Sequence, residues 1–397
     1  MKTRDAHGAK PRVLLGVTAP QSLGLLGAVP SKLAEEGFDV HLVASGVGPG
    51  HVGPGLAGAV IHEVPMARQP SPFRDLVALV AMARLIRDLD PEVVVMGTPK
   101  ASLLGLLAAR LHGVPERVYH VRGLRLETEV GLRRKLLAAL ESLTLASSTR
   151  AVAVSESLRR ELVPLGKSAS TAVVLGKGSS KGVDTDRFTA TRPEEERREA
   201  KVALGIDPEA IVVGFVGRLT HDKGILDLLA ANQTLSDAGS SHQLLLVGPV
   251  EDEKVESLLR QSRSENITLV GNSDTVEDLY AAMDLFCLPT LREGFPNVVL
   301  EASATGLPVV TTTATGAIDS VVEGKTGIAV PPGDSEALAE ALGRLIDSPE
   351  ERRKMGAAAR AHVEKNFRQE DVEAGFVQYV QRVAAAAAKI RSRRRRG

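Results

Sequence analysis

Glu293-Gly-Phe-Pro-Asn-Val-Val-Leu-Glu301 places one carboxylate in a Gly/Pro turn and a second inside the apolar run behind it. A turn that opens a helix exposes free backbone N–H groups and the positive end of a dipole. That end suits an anion, such as the phosphate of a sugar nucleotide. Upstream, Gly217-Arg-Leu-Thr-His-Asp-Lys-Gly224 follows another apolar run and supplies two cations, Arg218 and Lys223. Two carboxylates and an Arg/Lys pair on neighbouring loops can hold a charged sugar derivative. Either loop alone reads as ordinary surface charge; the combination points to a site.

Outward from these loops the chain alternates strand and helix. Val13–Val17, Val40–Ala44, Val93–Met96, Arg117–Val121, Ala151–Val154 and Thr171–Leu175 read as short buried strands. The segments between them carry helical periodicity, and Leu76, Leu79, Val80 and Ala83 mark one helix face, ended by Asp90-Pro91. After Phe188 the pattern pauses in a polar stretch, Thr189–Ala200. It restarts with strands at Ile211–Val216, Leu244–Val247, Ile267–Val270, Leu285–Leu288 and Pro308–Thr312. Alternation of this kind predicts parallel sheets covered on both faces. The expected division is 1–188, 189–370 and a C-terminal helix with a basic tail over 371–397. Two open α/β domains facing across a cleft would bring the loops after their strands to that cleft.

Composition agrees with this frame. A chain of 397 residues is too long for one ordinary core and suggests two domains of roughly 150–200 residues. The formal net charge is zero, which excludes a chain built as a whole to coat nucleic acid. The single cysteine, Cys287, excludes an internal disulfide, and its apolar strand makes it a core residue. No Cys/His cluster has zinc spacing. Met1–Arg12 is polar, unlike a secretory signal, and no apolar run reaches the roughly 20 residues that span a bilayer. The expectation is a cytoplasmic protein, or one that touches the inner face of the plasma membrane without crossing it.

Gly217-Arg-(four residues)-Lys-Gly224, the spaced Glu293 and Glu301, and Gly306-Leu-Pro-Val-Val310 resemble the retaining glycosyltransferases of family 4, which have the GT-B fold. Thr315-Gly316, Gly324-Lys-Thr-Gly327 and Val330-Pro331 extend the likeness, and Arg122-Gly-Leu-Arg125 and Gly182-Val-Asp184 with Phe188 carry it into the first half. Together these motifs are similar to the branch that builds bacterial capsule, exopolysaccharide or lipid-linked oligosaccharide.

The resemblance implies two Rossmann-like domains and transfer of a sugar from a nucleotide-sugar, uridine being the commonest base. It implies no metal and no cofactor: Arg218 and Lys223 neutralise the leaving diphosphate, whose charge grows in the transition state. Gly217 belongs to the same loop. Glu293 lies under the donor sugar, assisted by backbone N–H groups of Gly294, Phe295 and Asn297; Pro296 has none to give. Glu301 takes the ribose hydroxyls, and Gly271 to Val276 bound the base. Front-face attack would let the departing phosphate take the acceptor proton, so no side chain is assigned as base. Asp184 and Phe188 read as a structural crossing between domains.

The remaining positions stay open. His120 and Arg122 share a strand face, so either can reach the donor sugar, and a hydrogen-bonded core histidine is the bland alternative. The Ser22 to Gly27 loop, after the first strand, reads as acceptor or phosphate contact through Ser22 and Gly24, with Arg122 as a further acceptor contact, or as a mere turn. Leu132, Leu136, Leu137, Leu140 and Leu143 form one stripe flanked by Arg133, Arg134 and Lys135. It is either a buried helix with a solvated basic edge or a helix lying on an anionic membrane. Lys389–Arg396 is a denser basic cluster suited to the same surface. No aromatic platform accompanies it, which argues against nucleic acid. A glycan or a polyprenyl-diphosphate-linked sugar fits as acceptor. A nucleotide-sugar epimerase or a non-catalytic nucleotide-binding scaffold could share the architecture. A glycoside hydrolase fits the cations poorly.

Overall fold

A computed structural model describes residues 10–47, 53–67, 69, 71–166, 170–190, 193–261 and 266–396. The polar opening of the chain up to residue 9, the linker residues 191–192 and the side chains of Arg395 and Arg396 lie outside the described residues.

The chain forms two compact units. The first runs through β1 (Arg12–Gly16), α1 (Val29–Glu35), β2 (Asp39–Ala44), β3 (Ala59–Glu63), α2 (Pro72–Leu89), β4 (Val93–Met96), α3 (Pro99–Leu111), β5 (Glu116–Val121), α4 (Gly131–Ser147), β6 (Arg150–Ala153), α5 (Glu156–Leu162) and β7 (Val173–Val174). The second contains α6 (Glu194–Ala203), β8 (Ile211–Val216), α7 (Ile225–Asp237), β9 (His242–Val247), α8 (Glu253–Gln261), β10 (Ile267–Val270), α9 (Val276–Ala281), β11 (Leu285–Leu288), α10 (Asn297–Ala304), β12 (Val309–Thr312), β13 (Gly327–Val330), α11 (Ser335–Asp347) and α12 (Pro349–Asn366). The last helix, α13 (Gln369–Arg396), returns to the first unit from Asp371 onward.

Among the described residues the first sheet has strand order β3-β2-β1-β4-β5-β6-β7, the second β10-β9-β8-β11-β12-β13, and every pairing is parallel. Parallel strands need crossover helices, which explains the strict alternation in the sequence. Strand order reverses between β1 and β4 in one unit and between β8 and β11 in the other. In open sheets of this kind, ligands bind beyond the strand carboxyl ends at that reversal.

Local signals end the helices where the chemistry requires. Pro72 and Pro99 open α2 and α3. Asp90 closes α2 in the left-handed conformation, and Pro91 prevents continuation. Ser155, Asp334 and Ser348 cap α5, α11 and α12 through their side chains.

Several sequence expectations need correction. Strands β3 and β13 were not anticipated; both are sheet edges, where half-exposed residues blur the apolar run. The strand expected over Thr171–Leu175 shrinks to Val173–Val174, at the opposite edge of its sheet. The buried face of α2 is Ala78, Met82 and Ile86, whereas Leu76 and Val80 are exposed. The α4 stripe is not a buried face either: Leu132, Leu136, Leu140 and Leu143 are 85%, 61%, 36% and 42% exposed.

The C-terminal segment is no separate element. Phe376, Val377, Val380, Val383, Ala384 and Ala387 complete the core of the first unit, packed with residues of β1, β2, β4 and α1. The basic tail is partly spent on this docking. Arg391 pairs with Asp90 at 2.8 Å and Glu92 at 2.7 Å, and Arg394 donates to the Gly113 carbonyl. The first unit therefore has two stretches, the leading one ending at Lys181 and the second beginning at Asp371. Just beyond it, outgoing Val183 exchanges backbone hydrogen bonds with returning Phe367 and Gln369. Asp184 accepts from the backbone N–H groups of Asp186 and Arg187, and Phe188 packs edge-on against Tyr280.

Candidate active site

In the second unit, two loops beyond the carboxyl ends of β8 and β11 are stitched together. The Leu291 N–H and the Thr290 hydroxyl both donate to the Asp222 carbonyl, at 3.0 and 3.1 Å. The Arg292 guanidinium reaches the Asp222 carboxylate at 3.1 Å. Gly224 permits the approach: at φ 71° it lies where a Cβ would fall 1.7 Å from the Pro289 carbonyl. The loop after β12 closes on the same place, with Glu293 N–H bonded to the Thr315 carbonyl. A Cβ on Gly316 would meet the Gly294 carbonyl at 2.4 Å. The Gly-rich motifs are thus contact points between three loops.

This stitching brings Lys223 and Glu293 into a direct ion pair. Their side chains are only 19% and 14% exposed, so screening is weak and the pair holds both loops in register. Arg218 is more open; it pairs with Glu251 at 3.0 Å and approaches Asp222 at 3.9 Å. Burial alone would raise the Asp222 carboxyl, but the Thr220 hydroxyl and the charges of Arg292, Lys223 and Arg218 hold it below its ordinary value. Asp222 therefore stays anionic and orients the cations around it.

Glu301 lies inside α10, behind the turn, and accepts from the Tyr280 hydroxyl at 3.1 Å. Burial, with the nearby Glu301 charge, pushes the Tyr280 phenol well up, so it remains a donor. Gly294, Phe295 and Asn297 form the entry to α10, and Phe295 is anchored in the interior against Phe367. Gly217 adopts φ 150° at the start of the first loop. Gly271 and Val276 follow β10, two strands from β8 at the sheet edge.

The first unit carries a small pocket of its own at the carboxyl ends of β1, β4 and β5, mostly apolar but for a few polar side chains. His120 and Arg122 both line it, with Gly16, Gly97 and Phe376. The sequence left the two as alternatives; the fold brings them together. Arg122 donates to the Leu25 carbonyl at 2.7 Å and contacts His120 Nδ1 at 3.3 Å. His120 is buried and stacked on Phe376, with ring centroids 4.7 Å apart. Burial, and then the Arg122 charge, depress the imidazole well below its usual value. It is neutral at physiological pH, and with Nδ1 facing a cationic donor the ring proton belongs on Nε2. Burial lowers Arg122 to about 10, which leaves it charged, and no carboxylate pairs with it among the described residues.

The loop of Ser22 and Gly24 is a 3-10 turn, Pro20–Leu26, directly after β1. Gly24 is open to solvent with space around it. Gly27 is the constrained position: at φ 55°, a Cβ there would lie 2.2 Å from Glu373 Oε1. Sequence reasoning missed Glu373, Phe376, Tyr280, Asp222 and Arg292. Asp222 lies inside the Gly217–Gly224 motif. Glu373 and Phe376 carry no local signal, because their partners lie hundreds of positions away in the chain.

The core setting of Cys287 agrees with its reading; burial raises its thiol.

Comparison with known proteins places this geometry in a family. Residues 196–362 match the model for glycosyl transferases group 1, and residues 29–178 match the glycosyl transferase 4-like domain. The chain is 35% identical over 355 residues to the capsular polysaccharide biosynthesis glycosyltransferase CapM of Staphylococcus aureus, covering 88% of this chain and 92% of that protein. It is 25% identical over 323 residues to the UDP-Gal:alpha-D-GlcNAc-diphosphoundecaprenol alpha-1,3-galactosyltransferase of Escherichia coli, covering 79% and 82%. The solved structure of Anabaena Alr3699/HepE in complex with UDP and glucose superposes with a TM-score of 0.75 at 18% identity, covering 93% of this chain and 99% of that one. Two parallel-sheet units with a returning C-terminal helix are the GT-B architecture expected from the motifs, and the chain belongs to the group 1 glycosyltransferases with a glycosyltransferase 4-like N-terminal domain.

Proposed function

We propose that this glycosyltransferase moves a hexosyl group from a nucleotide-sugar, UDP-linked by preference, to a glycan or polyprenyl-diphosphate-linked sugar, with retention, in the synthesis of a bacterial surface polysaccharide. The observation that carries the reading is the Lys223–Glu293 ion pair at the strand reversal of the second unit. An incoming diphosphate competes for Lys223, and Glu293 is then released to the sugar hydroxyls. Arg218 gives the second phosphate a fork-shaped partner, and Glu301, oriented by Tyr280, takes the ribose.

As the glycosidic bond breaks, negative charge accumulates on the leaving diphosphate. Fixed cations stabilise that state more than the ground state. The reading gives this task to Arg218 and Lys223 and asks for neither metal nor resident cofactor. Front-face attack, with the departing phosphate oxygen accepting the acceptor proton, follows from the family resemblance. His120, as a neutral Nε2–H donor, and Arg122, as a cation without a carboxylate, face the first-unit pocket as contacts for sugar and acceptor. The Ser22–Gly24 turn borders the same loop. The capsular role of CapM and the diphosphoundecaprenol acceptor of the E. coli relative support the acceptor class. Action at the cytoplasmic face of the membrane follows from that class.

The test is a panel of nucleotide-sugars scored by the rise in melting temperature, followed by transfer assays with and without EDTA. One nucleotide-sugar should stabilise the protein, Lys223→Ala should abolish the rise, and transfer should survive the chelator. Turnover of donor without any acceptor would favour an epimerase instead.

A further inference from the structure

A second opening lies in the first unit, between α2, α3 and α4. Its cavity volume is about 150 Å³, and its wall is largely apolar: Leu103, Leu104, Leu126, Leu137 and Leu140. Cations stand in the same wall. Arg125 is exposed and has no ion partner among the described residues, whereas Lys100 is held by Asp75 at 2.7 Å. The remaining acid, Glu141, bonds to the Tyr119 hydroxyl, and burial pushes its carboxyl up to about 7. The pocket therefore carries little net negative charge.

Around this opening the surface is apolar to a degree that folding does not explain. On α4, Leu132 and Leu136 are 85% and 61% exposed; on α2, Phe73, Leu76 and Val77 are 80%, 58% and 50% exposed. Large apolar residues left exposed on two helices that both line one opening suit an interaction surface. The same stretch of α4 carries Arg133, Arg134 and Lys135, all exposed. An apolar face bordered by cations suits an amphiphile with an anionic head.

Topology supplies the orientation. Each crossover helix runs back against the strands, so the N-terminal turns of α2, α3 and α4 lie at the strand carboxyl ends. That is the end holding His120 and Arg122. Pro99, Lys100 and Arg125 lie within a few residues of the ends of β4 and β5. The C-terminal tail docks at the other end of the sheet, where Arg391 meets Asp90 and Glu92 just before β4 begins. Lys100 and Arg125 of the opening, and not the basic tail, share an end of the sheet with the proposed acceptor residues.

We infer that the opening between α2, α3 and α4 takes the isoprene units next to the head of a polyprenyl phosphate, with Arg125 facing the phosphate, the rest of the chain in the bilayer and the exposed leucines of α4 entering the bilayer interface around it. This rests on the proposed transfer to a lipid-linked acceptor and names where its lipid is held. Each methylene removed from water adds to binding, and the phosphate requirement separates this ligand from a neutral lipid.

The full chain is mixed with phosphatidylcholine vesicles carrying either polyprenyl monophosphate or phosphatidylglycerol at matched surface charge, and partition is measured by flotation. About tenfold stronger partition into the polyprenyl phosphate vesicles is expected. Leu137→Gln with Leu140→Gln, and separately the exposed Arg125→Gln, should each remove that preference. Equal partition into both vesicles would reduce the surface to a general anionic contact and overturn the inference. So would a preference that survives both variants. Nucleoside-diphosphate binding, read by melting temperature on the same samples, should be unchanged in the variants, which excludes unfolding. A wild-type protein that binds no nucleoside diphosphate would sink the donor assignment while leaving the lipid result to stand or fall on partition alone.

Discussion

Glu373, on the last helix, accepts a hydrogen bond at 2.8 Å from the backbone N–H of Ala28, at the start of α1. The same carboxylate, 2% exposed, takes Lys32 at 2.8 Å through its other oxygen and fills the space where a side chain on Gly27 would stand. The loop after β1 is thus shaped by a residue near the other end of the chain. Three positions later, Phe376 stacks on His120. The C-terminal helix is a wall of the first-unit pocket.

Glu373→Ala should therefore disturb that pocket from a distance. It leaves a half-buried N–H without its acceptor and Lys32 without its partner, a loss of about 2 kcal/mol. Gly27→Ala should cost about as much through steric conflict with Glu373 and its positive φ. Melting curves measure both. In transfer assays Glu373→Gln, which keeps the Ala28 bond, should raise acceptor KM more than donor KM. Equal changes in both would show that Glu373 serves overall stability only.

Lys223→Ala should lower kcat by about 10²–10³-fold, the range for removing one preorganised charge-stabilising group. Glu293→Gln should lower it with a smaller stability loss, since the amide can still accept from Lys223. A melting-point loss matching the activity loss in Glu293→Gln would reassign the pair as a structural clasp.

Glu141 makes a pH prediction. Its folded carboxyl titrates near 7, above its unfolded value near 4.5. Between these values the folded state holds a proton that the unfolded state has released. Stability from this group is full below pH 4.5 and declines as pH rises through 7, by about 3 kcal/mol in all. Glu141→Gln should flatten that decline while retaining a partner for Tyr119. Parallel melting-temperature profiles for the two proteins between pH 5 and pH 8 would refute the raised carboxyl.

Removing residues 389–397 should lower the melting temperature, because Arg391 anchors α13 on Asp90 and Glu92. Arg391→Ala should reproduce most of that loss, about 1 kcal/mol for a pair only 23% exposed on the arginine side. Binding to anionic vesicles should fall less on tail removal than on substitution of Leu132 and Leu136. The opposite order would restore the tail as the main membrane contact.

Much of the fold was legible because parallel strands are buried on both faces and read as continuous apolar runs. Val93–Met96 and Leu285–Leu288 match their predicted bounds for that reason. Edge strands such as Ala59–Glu63 lose the signal with half their burial. The second-unit loops were legible because a glycine, a proline and a charge within a few positions leave a mark in one dimension. The α4 leucines stayed open between a buried and a surface helix because periodicity reports a one-sided helix and not what covers the side.

By itself the sequence determined the alternation of strand and helix, the two sheets, the loops at their carboxyl ends and the residue types those loops present. These follow from local periodicity and turn chemistry. Tertiary structure alone decided that Lys223 meets Glu293, that His120 and Arg122 share one pocket, that the last helix returns to the first unit, and that the leucines of α4 stay exposed. Such outcomes depend on contacts between residues far apart in the chain. Their energies arise only when packing removes water from both partners at once.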